Sequence, residues 1–83
     1  MIYKIKFKSI SQIEELLNEA QHLPYTIILR NENGLSLPVI NISDVIYMIN
    51  FDTLYCHIDF SYNSTKAELD VFHNLLNNIG LLD

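Results

Sequence analysis

Three features of this 83-residue chain predict an α+β open-faced β-sandwich, with a four-stranded, mostly antiparallel sheet and helices on one face. Apolar residues alternate at strand period in Ile2 to Lys8 and again in Leu54 to Phe60, and they recur at helical period in three other stretches. Asn33-Gly34 separates two runs rich in β-formers, the arrangement of a hairpin. Read in order, the elements are βαββαβα.

In the first strand Tyr3, Ile5 and Phe7 face one side, and Lys4, Lys6 and Lys8 the other. Ser9 and Ser11 both suit a helix N-cap, with Gln12 and Glu14 in capping-box relation to them. Ile10, Ile13, Leu16, Leu17, Ala20 and Leu23 then form the stripe of a helix that ends before Pro24. Tyr25 to Arg30 and Leu35 to Val39 are the hairpin strands, with Asn33 and Gly34 supplying the positive φ angles of a tight turn. Pro38 cannot donate to a ladder and belongs at a strand end or sheet edge. Asn41 or Ser43 caps a short helix running to about Asn50, whose core arc is Ile42, Val45, Met48 and Ile49.

The fourth strand turns Leu54, Cys56, Ile58 and Phe60 inward and leaves Tyr55, His57 and Asp59 on a wet face. Ser64 or Thr65 opens the last helix, Glu68 completes a capping box to Thr65, and Leu69, Phe72, Leu75, Leu76 and Ile79 make its stripe. Gly80-Leu81 is a stop of Schellman type. Two crossovers through helices make this a split βαβ arrangement with an added helix, a single domain over residues 1–83.

Composition narrows the function classes. Hydrophobic residues make up 49% of the chain and charged residues 18%, so it has the apolar content to fold. At this length only roughly 60–65% of the unfolded surface is buried, which leaves no room for a deep internal cleft. The net charge of −5 disfavours nucleic acid and anionic membrane as partners. No apolar run approaches the ~18 residues of a membrane span, the start lacks a signal-peptide layout, and a single cysteine suits a reducing compartment. The expected location is the cytoplasm.

Local motifs for chemistry are missing. None of His22, His57 and His73 stands at metal-ligand spacing from another, and Cys56 reads as a small core residue, so no metal or cofactor is expected. His22 suits a helix C-terminus, and His73 and Asp70 suit an exposed helical pair. Tyr55, His57 and Asp59 form a row that would serve an enzyme only if the side chains converged in a concave site. Both glycines are explained by a turn and a cap, which leaves no phosphate loop. The second helix, by contrast, has Ile46 at its rim and Tyr47 opposite its core arc, apolar residues that suit partner binding.

The element order, together with Asn41-Ile42-Ser43-Asp44-Val45-Ile46-Tyr47-Met48, resembles the histidine-containing phosphocarrier (HPr) family of the sugar phosphotransferase system, whose second helix begins S-I-M-G-V-M-S-L. The resemblance runs from about Tyr3 to Leu81, with the Glu32-Asn33-Gly34 hairpin and the helix from Ala67 to Leu81 at matching distances. The family's G-I-H-A-R-P motif, which carries the phosphoacceptor histidine, is replaced by Ser9-Ile10-Ser11-Gln12-Ile13-Glu14-Glu15. Asn41 stands where many members have a regulatory serine, and Ser43 lies two positions away.

The resemblance implies a bacterial, non-phosphorylatable HPr-like module that binds or regulates a protein partner and is not an enzyme. By position, the family's docking face corresponds to Ser11, Gln12, Ser43, Ile46 and Tyr47. Two alternatives are an ACT-like small-ligand regulatory domain, also built on βαββαβ, and a phosphocarrier using a displaced histidine.

Overall fold

The computed structural model describes residues 1–83. Its elements are β1 (Ile2–Ile5), α1 (Ile10–Ala20), β2 (Ile27–Asn31), β3 (Ser36–Pro38), α2 (Ile42–Met48), β4 (Leu54–Ile58) and α3 (Lys66–Ile79). The strands form one sheet in the order β1-β4-β2-β3, and every neighbouring pair is antiparallel. β4 therefore lies between β1 and β2, and β2 between β3 and β4, so α1 and α2 each join parallel strands that another strand separates.

Strand alternation divides the sheet into two faces. Ile5, Ile27, Leu29, Leu54, Cys56 and Ile58 point inward and join Ile13, Leu16, Val45, Met48, Phe72 and Leu76 in one core to which every helix contributes. The Tyr3 ring closes its β1 side, edge-on to Phe72 with centroids 5.6 Å apart. Outward residues lie in cross-strand rows, Lys4-Tyr55-Arg30-Ser36 beside Ile2-His57-Ile28-Pro38. No helix is long and apolar enough to cross a membrane.

Both ends of α3 follow from local chemistry. Thr65 accepts the Glu68 N–H, and Glu68 accepts the Thr65 N–H, so the capping box is complete. At the other end Gly80 adopts φ +87°, and its N–H and that of Leu81 bond back to Asn77 and Leu76, closing a Schellman motif. That turn directs Leu81–Asp83 along β1: Lys6 N–H donates to Leu81 and Asp83 N–H to Lys4. The tail thus covers part of an edge strand that would otherwise offer free ladder groups. At the opposite edge Pro38 removes a donor from β3.

Several sequence expectations change in three dimensions. β1 stops at Ile5 rather than Lys8, because Ile5 pairs with Leu54, the first residue of β4, and Lys8 N–H already donates to Gln12 Oε1 as α1 begins. Ser9 caps α1, but Gln12 returns no bond to it, so that capping box is half formed, and the first-turn residue Ile10 is exposed. In the hairpin only Gly34 has positive φ (+89°), not Asn33 as well. Asn31, which is buried, accepts the Asn33 and Leu35 N–H groups on Oδ1, and its carbonyl accepts Gly34 N–H, giving a longer connection than a two-residue turn. The strands it joins are accordingly shifted, to Ile27–Asn31 and Ser36–Pro38.

The largest correction concerns the fourth strand. His57 was expected on a wet face and Phe60 in the core; instead His57 is 4% exposed and Phe60 66% exposed. β4 ends at Ile58, Asp59 N–H bonds across to Thr26, and the chain turns so that Phe60 stacks on the His57 ring at 4.1 Å and 10°. The aromatic residue covers the outer side of the sheet rather than entering the inner one.

Candidate protein-docking surface

α2 is only seven residues long, so burying one pair spaced i, i+3 uses most of its inward arc. Val45 and Met48 are that pair; Ile42 and Ile49, expected beside them, are 46% and 37% exposed. Asn41 stands at the N-cap and its carbonyl accepts the Asp44 and Val45 N–H groups, while its side chain makes no capping bond. Ser43 is exposed in the first turn, and Ile46 and Tyr47 are 44% and 50% exposed. The Tyr47 ring meets Phe51 edge-on at 5.8 Å, which fixes the direction of the chain leaving the helix.

Beyond the end of α2 a cleft of about 190 Å³ opens between Phe7 of the β1–α1 connection and Ile49 and Phe51, with Lys6 and Asp52 at its margin. Sequence reasoning placed Phe7 and Ile49 on inward faces and did not single out Phe51. The available signal was the spacing of Tyr47 and Phe51, four residues apart at the end of a helical run.

The five residues assigned to the docking face from the resemblance divide into two groups. Ser43, Ile46 and Tyr47 share α2 and are accessible. Ser11 is exposed at the start of α1, with its hydroxyl 2.9 Å from that of Ser9. Gln12 is already engaged: Oε1 accepts Lys8 N–H, and Nε2 donates to the Ile79 and Gly80 carbonyls at 3.1 and 3.4 Å. It ties the start of α1 to the end of α3, satisfying helix-end carbonyls that would otherwise lack partners.

The remaining chemical groups are dispersed. His22 follows the end of α1, His73 lies in the middle of α3 with its ring 5.4 Å from that of Tyr3, and His57 is buried with Nδ1 2.8 Å from the Ile58 carbonyl oxygen. No histidine lies at a helix N-terminus. Tyr55, His57 and Asp59 share a face but do not converge, since Phe60 covers the imidazole. Asp59 accepts the Ser61 N–H and hydroxyl, and the backbone bond above all holds its carboxyl below the usual range.

Cys56 is fully buried, and desolvation pushes its thiol well above the usual range, away from a nucleophile's thiolate. Tyr25 has a buried hydroxyl without a partner; burial first, then the Glu68 carboxylate, raises its pKa. No group of three or more His, Cys, Asp or Glu residues is arranged to hold a metal ion. A depression of about 520 Å³ between α1 and α3 brings together Glu15, Glu19, Asn74 and Asn78, carboxylates and amides with no histidine, lysine or arginine among them.

Comparison of the chain with protein-family models, with curated proteins and with solved structures finds no match.

Proposed function

We propose that this chain is a protein-binding or regulatory module of HPr-like type that lacks phosphocarrier chemistry. The reading rests chiefly on α2: four of the protein's eleven exposed large hydrophobic residues lie within Ile42 to Ile49. Scattered apolar residues are ordinary on a protein surface; four on two helical turns, beside a cleft that Phe7 and Phe51 help to line, suit a protein interface. The βαββαβα order and the Asn41–Met48 stretch support the family resemblance. The dispersal of the three histidines supports the loss of phosphoryl transfer, as does a first helix that opens with Ser9, Ser11 and Gln12. In this reading the module works in a bacterial cytoplasm, and apolar area around Ile46 and Tyr47 supplies affinity.

Two measurements test the proposal. Incubation with the enzymes of the sugar phosphotransferase system and phosphoenolpyruvate leaves the chain unmodified, whereas stoichiometric phosphohistidine would refute the loss of carrier chemistry. Replacing Ile46 and Tyr47 together by alanine abolishes capture of its protein partners while leaving the urea midpoint nearly unchanged, because both side chains are about half exposed. Retention of every partner by that folded variant would remove α2 as the docking surface.

A further inference from the structure

The outward face of the sheet carries three parallel bands, and their order makes the face complementary to itself. At one end, on adjacent strands, stand Lys4, Tyr55 and Arg30. In the middle stand Ile2, His57 and Ile28, with Phe60 laid flat on His57 and its other ring face open to solvent. At the other end Asp59 lies beside Thr26, joined by the Asp59 N–H to Thr26 carbonyl bond of 2.8 Å. Cations, apolar surface and carboxylate thus follow one another along the strand direction.

The single ion pair in the chain is Lys4–Asp83 at 3.6 Å, which leaves Arg30 without an anionic partner and the Asp59 carboxylate bonded only to Ser61. The acidic excess lies largely elsewhere: α1 carries Glu14, Glu15 and Glu19 and no basic residue. For a chain of net charge −5, the open sheet face is therefore a side on which a second copy meets little repulsion.

We infer that two copies of this chain associate through these faces, related by a two-fold axis lying between the sheets and running along the Ile2-His57-Ile28 band. Rotation about that axis lays each apolar band on its counterpart. It also brings the Arg30 end of one copy over the Asp59 end of the other, within about one strand spacing, ~4.8 Å, of direct opposition. A two-fold axis running along β4 instead sets Lys4 of one copy over Arg30 of the other, and like charges oppose that arrangement. The interface is on the opposite side of the sheet from the helices, so it leaves α2 free and does not depend on how α2 is used.

Sedimentation velocity over a concentration series, with the full chain, tests the inference. The native chain is expected to pass from one to two copies as concentration rises. Arg30→Glu, at an exposed side chain, raises the dissociation constant at least roughly tenfold with an unchanged far-ultraviolet spectrum. Asp59→Arg does the same, and an equimolar mixture of the two variants dimerises again, because only the mixed pair restores both Arg–carboxylate contacts.

Tyr47→Ala, on α2, leaves the association unchanged. The inference fails if the native chain stays monomeric to about 1 mM. It also fails if a dimer persists unweakened in Arg30→Glu, or if Tyr47→Ala dissociates it, and Arg30→Glu decides the matter alone should Asp59→Arg not fold.

Discussion

α3 and α2 are helices of the same layer held by different means. α3 has 14 residues, a reciprocal capping box at its start, a glycine stop at its end, and Phe72 and Leu76 wholly buried. α2 has seven residues, an Asn41 side chain that makes no capping bond, and two buried residues against three exposed large hydrophobics, with a fourth, Ile49, at its C-cap. An isolated helix of either length is marginal in water, so each depends on tertiary packing. α3 adds satisfied ends to that packing, whereas α2 has packing alone and leaves its remaining apolar surface uncovered. Stability is concentrated in one helix, and surface suited to recognition in the other.

The difference breaks first in the core. Phe72→Ala removes a fully buried ring that touches both Tyr3 and Tyr25, and a loss of about 3–5 kcal/mol is expected in urea unfolding. For a chain of this size such a loss is a large part of the total stability, so the variant is expected to be partly unfolded at 37 °C. A cost of less than about 1 kcal/mol would mean that α3 is not the stabilising member of the pair.

Caps give a smaller and more direct contrast. Thr65→Ala deletes a side chain that accepts the Glu68 N–H and is expected to cost about 1 kcal/mol; Asn41→Ala, where no such bond exists, is expected to cost no more than a few tenths. Equal losses at the two positions would erase the distinction between the helix starts.

The smallest effect is on pH dependence. Bonding from the Thr65 N–H, and then from the Tyr62 hydroxyl at 2.8 Å, holds the Glu68 carboxyl below its ordinary value. The unfolded chain therefore takes up a proton at a higher pH than the folded one, and the contribution is present at neutral pH. It is lost as pH falls below about 4.3, the ordinary glutamate value, and through the lower folded value. Denaturant midpoints measured from pH 6 to pH 2 should fall less steeply in Glu68→Gln than in the native chain, with Asp59 contributing a residual slope of the same sign.

Features that depend on neighbours within a few residues were legible in the sequence. The Thr65–Glu68 box, the Gly80 stop and the inward positions of Ile5, Leu54, Cys56 and Ile58 all follow from local spacing. The candidate docking surface was legible only in part. Ile46 and Tyr47 stood out because they lie off the core arc, whereas Ile42 and Ile49 looked buried on a helical wheel that could not show how little of a two-turn helix meets the sheet. Gln12 read as a cap or a contact for a partner, yet its Nε2 bonds are to carbonyls 67 and 68 residues away.

By itself the sequence determined the order of the elements, the core side of each strand and the ends of α3, because hydrophobic period and capping act over distances of one to five residues. Only the tertiary structure decided the strand order β1-β4-β2-β3, the covering of the β1 edge by the tail, the burial of His57 beneath Phe60, and the rows of the outward sheet face. Those depend on which distant segments pair and where a strand stops, and a one-dimensional pattern carries no term for either.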